Sequence, residues 1–313
     1  MNDKQASVEK ILAEPDYDDE GFVDYVYDGH THKLWYSMIM KKLVIFTDLD
    51  GTLLDYSTYS FKKALPALEL IRRQSLPLIL CSSKTKTEIE YYRKKLSNTH
   101  PFVSENGGGI FIPKKYFNSL LSTASYPIEE QADYNVIRLG ARYSDLRNAV
   151  KELRQEGFEI TGFGDMTAKE LAAIANMTID EAVMAKERDF DEPFIYKGPN
   201  HKLPLIFRSI NQKGFRFTQG KFFHILGSSN KGTAVSILTD LYKMKYGNIK
   251  TIALGDSPND IPMLERVACP ILVQKQDGLY DPQVHMSKLI RADGIGPEGW
   301  SKALIEFLHR VSK

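Results

Sequence analysis

KKLVIFTDLDGTLL, residues 41–54, is the stretch that decides the fold class. Leu43 to Phe46 is a continuous apolar run with β-branched members, the pattern of a strand buried on both faces. Two carboxylates, Asp48 and Asp50, and a glycine turn follow at once. Downstream, SFKKALPALELIRRQ carries apolar residues at helical spacing (Ala64, Leu65, Leu68, Ile71). LPLILCSS reads as a second buried strand and TKTEIEYYRKKL as a second helix. Strand–helix–strand–helix order predicts right-handed crossovers and a parallel sheet. The expected fold is α/β, a Rossmann-like parallel-sheet core.

The rhythm breaks at SENGGGIFIP, where three glycines lead into Ile-Phe-Ile-Pro. Residues 118–225 then mix helical patterns with short strands. SDLRNAVKELRQ is one helix, and TAKELAAIANMTIDEAVMAKERDF holds a second with room for a third. RLGAR, FEITGF, PFIYK and FRFTQGKFFHIL read as strands. This is the composition of an inserted α+β cap. The α/β pattern resumes at NKGTAVSILTDLYKM, a helix, and continues through KTIALGDSPND, IPMLERV and CPILVQK. The expected organisation is an acidic N-terminal extension over residues 1–38, a core from 39–117 and 226–313, and a cap over 118–225.

The 313-residue chain has a formal net charge of +1, so no global field draws in nucleic acid or an anionic membrane. No run reaches the roughly 18 apolar residues of a spanning helix. The N-terminus is polar and then acidic, unlike a secretory signal. Cys81 and Cys269 stand far apart in no CxxC pattern, which points to a reducing cytoplasm. Neither a P-loop nor a GxSxG elbow is present.

The unusual polar residues collect at strand ends, where open parallel sheets bind ligands. Asp48 and Asp50 end the first strand, Ser82 and Ser83 the second, and Asp256 and Asp260 a third, with Lys231 at the start of the preceding helix. Packed carboxylates raise one another's pKa, and a divalent cation resolves that conflict. Oxygen ligands without His or Cys favour Mg²⁺. Asp48 leaves its strand first and is the expected nucleophile. Asp50, two residues on, is placed to act as acid and then base. Lys231 can neutralise phosphate and Asp48, and Ser82 can donate to a phosphoryl oxygen.

TDLDGTLL, LILCSS, SNKG and GDSPND, in that order, resemble the four motifs of the haloacid dehalogenase superfamily of phosphatases. LLDYSTYSF, LCSSKTKTEIE, SENGGGIFIPKKYF, ERDFDEPF and GIGPEGW resemble the mannosyl-3-phosphoglycerate phosphatase family within it. The resemblance covers roughly residues 41–313; the leader before residue 39 departs from it. It implies release of phosphate from mannosyl-3-phosphoglycerate to give mannosylglycerate, a compatible solute. It also implies that Asp48, the carbonyl of Asp50, and Asp256 hold Mg²⁺, with Asp260 in support. Ser83, Lys84 and Asn259 are the expected substrate contacts in the core. In the cap, Arg188 is expected to meet the glycerate carboxylate and Glu192 the sugar hydroxyls. The implied partner is a small phosphorylated sugar-glycerate. A glucosyl-3-phosphoglycerate phosphatase, a hexose phosphomutase and a sugar-phosphate sensor that does not turn over are the competing readings.

Overall fold

A computed structural model of the chain describes residues 22–27, 30–35, 42–123 and 126–311. Of the expected N-terminal extension, two strands, β1 (Phe22–Tyr27) and β2 (His30–Trp35), pair antiparallel as a hairpin. They belong to a unit separate from the rest of the chain, and the remainder of residues 1–38 lies outside the described residues.

The larger unit begins at Leu43, within β3 (Lys42–Thr47), whose apolar run is buried as its pattern predicts. Alternate residues serve opposite layers. Leu43 and Ile45 join one apolar cluster, and Val44 and Phe46 join another. The first cluster packs under α1 (Leu65–Arg73), α2 (Lys86–Leu96) and α8 (Pro297–Val311). The second packs under α7 (Lys231–Tyr246). A sheet covered on both faces is the architecture that an unbroken apolar strand requires.

Nine strands form this sheet, in the order β15-β14-β13-β3-β4-β5-β6-β8-β7. They are β4 (Leu78–Cys81), β5 (Phe102–Ser104), β6 (Gly109–Pro113), β7 (Glu129–Glu130), β8 (Tyr134–Arg138), β13 (Ile249–Gly255), β14 (Cys269–Gln274) and β15 (Ile290–Ile295), together with β3. Pairings β3–β4, β4–β5, β13–β14 and β14–β15 are parallel. From β5 outward, β6, β8 and β7 add antiparallel.

This edge moves one expected boundary. Residues 129–138 fall within the expected cap, yet β8 pairs along its whole length with β6 of the nine-stranded sheet. The pairing buries Tyr134, Val136 and Ile137 in the two core clusters. The layer expected as a cap therefore follows Arg138. Its sheet, β11-β12-β10-β9, comprises β9 (Ile160–Gly162), β10 (Asp191–Tyr196), β11 (Arg216–Gln219) and β12 (Phe223–Leu226). α3 (Tyr143–Gln155) and α6 (Leu203–Gln212) bury Leu146, Val150, Leu153, Ile206 and Ile210 against it. α4 (Ala168–Ala175) and α5 (Ile179–Ala185) are separate helices, each opened by a capping box, at Thr167–Glu170 and Thr178–Glu181. Among the described residues no helix is long and apolar enough to cross a membrane.

Candidate active site

β3 lies between β13 and β4, so the chain leaves it in one direction and returns later on its other side. This is the switch point at which open α/β sheets form clefts. Asp48 follows β3, Ser82 follows β4 and Asp256 follows β13. The backbone N–H of Asp48 donates to the Leu254 carbonyl at 2.9 Å, which ties the first and third of these strand ends together.

One carboxylate oxygen from each of Asp48, Asp256 and Asp260 lies within 4.8 Å of the others, all three side chains buried. Lys231, fully buried at the first turn of α7, donates to Asp48 Oδ1 at 2.6 Å and to Asp260 Oδ1 at 2.7 Å. The other oxygen of Asp260 accepts the backbone N–H of Asp256 at 3.0 Å, closing the GDSPND loop on itself. Asp256 Oδ1 accepts the hydroxyls of Ser257 (3.2 Å) and Thr52 (3.3 Å). Gly51 is obligatory here. Its φ is +80°, and a Cβ would stand 2.8 Å from Asp256 Oδ2.

Burial pushes the Asp48 carboxyl well above its ordinary range, against the pull of Lys231. Asp256 is pushed up to about 7, by burial first and then by the charge of Asp260. Three buried carboxylates with one lysine are under-neutralised. Hard oxygen donors in this state suit a divalent cation of the magnesium type.

A cavity of about 440 Å³ opens beside this group. Asp50 lines it, and its carboxylate pairs with Lys84 Nζ at 3.1 Å. Lys84 is buried and also meets Glu88 at 3.3 Å. Glu88 in turn closes the capping box of α2 with Thr85. Ser83 and Asn259 line the cavity as well.

Three of the expected site residues are engaged by partners within the protein. Ser82 is fully buried and does not line the cavity; its Oγ accepts the backbone N–H of Lys84 at 3.2 Å, so it shapes the loop that presents Ser83 and Lys84. Arg188 lines the cavity, but its guanidinium is committed. It donates to the carbonyls of Ser83 (2.7 Å) and Ala185 (2.8 Å) and stands 3.8 Å from Glu88, fastening cap to core. Glu192 is fully buried inside the cap, where its carboxylate accepts from Arg147 Nη1 (2.6 Å) and the Gly164 N–H (3.0 Å). Its position on β10 turns it away from the cavity, which its neighbour Pro193 lines instead.

Sequence reasoning passed over a second network. The Glu105 carboxylate accepts the backbone N–H groups of Asp189 (3.1 Å), Phe190 (2.8 Å) and Asp191 (2.9 Å). Burial pushes it up to about 8 despite the charge of Arg188 and these donors. Next to it Asn106 donates to Asp191 (2.6 Å) and accepts from Asn259 (3.1 Å). Asp191 also holds His224 Nδ1 at 2.8 Å, and the His224 ring lines the cavity. The available signal was two polar residues, Glu105 and Asn106, set directly before the glycine run of SENGGG; in the fold both are buried with positive φ.

Fold, carboxylate cluster and adjoining cavity together suit the class of enzymes that transfer phosphoryl groups. Comparisons with known proteins narrow this. The family model for haloacid dehalogenase-like hydrolases matches residues 45–139 and 206–277. A glucosyl-3-phosphoglycerate/mannosyl-3-phosphoglycerate phosphatase from Methanococcoides burtonii is 43% identical over 85% of this chain and 97% of its own. A mannosyl-3-phosphoglycerate phosphatase from Pyrococcus furiosus is 35% identical over 74% of this chain and 90% of its own. Among solved structures, the sucrose-phosphatase of Synechocystis superposes with a TM-score of 0.53 at 15% identity, covering 87% of this chain and 99% of its own; at that identity the likeness speaks for the fold. The chain is a haloacid dehalogenase-like phosphatase and belongs to the mannosyl-3-phosphoglycerate phosphatase family.

Proposed function

We propose that the chain hydrolyses mannosyl-3-phosphoglycerate and its glucosyl epimer, releasing phosphate and the glycosylglycerate, with Mg²⁺ as cofactor. The observation that carries this reading is the meeting of Asp48, Asp256 and Asp260 within 4.8 Å, in a chain 43% identical to a relative named for both substrates.

Asp48, Asp256 and the carbonyl of Asp50 are the residues that would hold the cation, with Asp260 orienting Asp256 and Lys231. When bound, the cation screens the phosphate dianion from the carboxylates. The chain's own residues do the rest. The Asp48 carboxylate attacks phosphorus, and the ester P–O bond breaks as the acyl phosphate forms. Asp50 gives its proton to the departing alkoxide oxygen. In the second half Asp50 takes a proton from water, the water oxygen attacks phosphorus, and phosphate leaves with Asp48 restored. Lys231 holds Asp48 for attack and offsets charge on the transferring group. Lys84 keeps Asp50 in place, and Ser83 and Asn259 offer hydrogen bonds to the phosphoryl oxygens. The cap roofs the cavity and limits access of water to the acyl phosphate.

A phosphate-release assay with both substrates, with and without Mg²⁺, tests the reading. Release from at least one, lost on chelation and lost in Asp48→Asn, is the expected result. Activity that survives chelation, or an active Asp48→Asn, refutes it.

A further inference from the structure

The cations around the cavity are unequally employed. Lys231 is shared by Asp48 and Asp260, Lys84 by Asp50 and Glu88, and Lys275 pairs with Asp281. Arg188 is spent on two carbonyls and Glu88. Lys221 differs. It lies between β11 and β12, lines the cavity and is exposed. Among the described residues it meets no carboxylate. Its Nζ donates to the Tyr59 hydroxyl at 3.0 Å and the Ala175 carbonyl at 2.6 Å. It also stands over the rings of Tyr56 (5.3 Å) and Tyr59 (5.4 Å).

We propose that Lys221 is the anchor for the carboxylate of the substrate, and so the residue by which the cap selects phosphoglycerate esters over plain sugar phosphates. The inference rests on the phosphoglycerate reading above and adds a residue to it. Such a substrate carries two separate anions, and the phosphoryl group is accounted for by Lys231 and the cation that Asp48 and Asp256 would hold. The carboxylate needs a second cation close to the reacting ester. Lys221 is near enough. On the Tyr59 ring, Lys84 Nζ stands 4.9 Å from the centroid, and Lys84 holds Asp50 at 3.1 Å. Lys221 is thus one tyrosine away from the acid that protonates the leaving oxygen. In a 3-phosphoglycerate ester the carboxylate carbon is two carbons beyond the carbon bearing that oxygen. A carboxylate arriving there exchanges neutral acceptors of Lys221 for a charged one, which makes a hydrogen bond about twice as strong. The tyrosine rings beneath the ammonium add a cation–π contact that keeps it aimed. A sugar phosphate without the carboxylate forgoes this contact, and the difference appears as discrimination in kcat/KM.

The test compares Lys221→Gln with the unmutated protein on two substrates, mannosyl-3-phosphoglycerate and p-nitrophenyl phosphate, which has no carboxylate. The expected result is a KM for the phosphoglycerate ester raised about ten- to a hundred-fold, as for loss of one charged hydrogen bond. The loss in kcat/KM on that ester should exceed the loss on p-nitrophenyl phosphate by at least about tenfold, and Lys221→Arg should recover most of it. Equal losses on the two substrates, or no recovery by arginine beyond that of glutamine, overturn the assignment and leave the phosphatase reading standing. An unmutated protein that hydrolyses p-nitrophenyl phosphate but neither glycosyl-3-phosphoglycerate refutes the substrate reading, and the assignment of Lys221 falls with it.

Discussion

Lys231→Met is the substitution that presses hardest on the proposed chemistry. It keeps most of the side-chain volume in a fully buried position and removes only the charge. Lys231 makes two charge-assisted hydrogen bonds, at 2.6 Å to Asp48 and 2.7 Å to Asp260. At about 1.5–3 kcal/mol each, the pair bounds the loss near 3–6 kcal/mol. Breaking a buried ion pair by removing one partner costs about 3–5 kcal/mol, which agrees. At about 1.4 kcal/mol per tenfold, a loss of that size felt in the transition state lowers the rate roughly 10²- to 10⁴-fold. A second effect has the same sign. Lys231 is the group that pulls the Asp48 carboxyl down against burial. Without it the nucleophile ionises only at higher pH, so the acid limb of the kcat profile moves upward. The assay is phosphate release at saturating Mg²⁺ across pH 5.5–8.5, with circular dichroism to verify the fold. A folded Lys231→Met protein retaining kcat within about threefold of the unmutated chain, with an unmoved acid limb, refutes the role given to this lysine.

Two further outcomes follow from the buried acids. Asp48 and Asp256, the latter at about 7, bind their protons more tightly when folded than the ordinary carboxylate range of about 4 in the unfolded chain. Their contribution to stability is full below pH 4 and declines as pH rises through 7. The metal-free protein should therefore melt lower at pH 8 than at pH 6, and Mg²⁺ should raise the melting temperature more at pH 8; a metal-free melting temperature that rises over this interval contradicts the burial of these groups. Glu105→Ala leaves the N–H groups of Asp189, Phe190 and Asp191 without their acceptor. At about 1–3 kcal/mol for each buried donor left unpaired, partly relieved by water, urea unfolding should show a loss of at least about 2 kcal/mol, and a loss below about 0.5 kcal/mol would show that this clamp holds nothing.

Local chemistry was legible in the chain itself wherever a residue's role depends on near neighbours. The apolar run of β3 announces a strand buried on both faces, and Gly51 announces the turn that brings Asp50 back beside it. GDSPND closes on itself through Asp260 and the Asp256 N–H, four residues apart. The parallel order of strands then brings Asp48, Lys231 and Asp256 to one cleft, because strand ends in such a sheet share an edge.

What only the folded molecule decided are the pairings that depend on register and on partners far along the chain. Ser82 and Ser83 are alike in sequence, but the loop after β4 buries the first and leaves the second lining the cavity. Arg188 and Glu192 have the right charges for a substrate, yet each finds a protein partner before any ligand arrives, Ser83 across 105 residues and Arg147 across 45. Residues 129–138 have a composition that suits either sheet, and only the edge of β6, open for antiparallel pairing, draws them into the core. Lys221 looks like any surface lysine until the fold sets it above two tyrosines more than 160 residues earlier in the chain. A side chain's charge is written in the sequence, but whether that charge is already neutralised is settled by which distant groups the fold brings within reach.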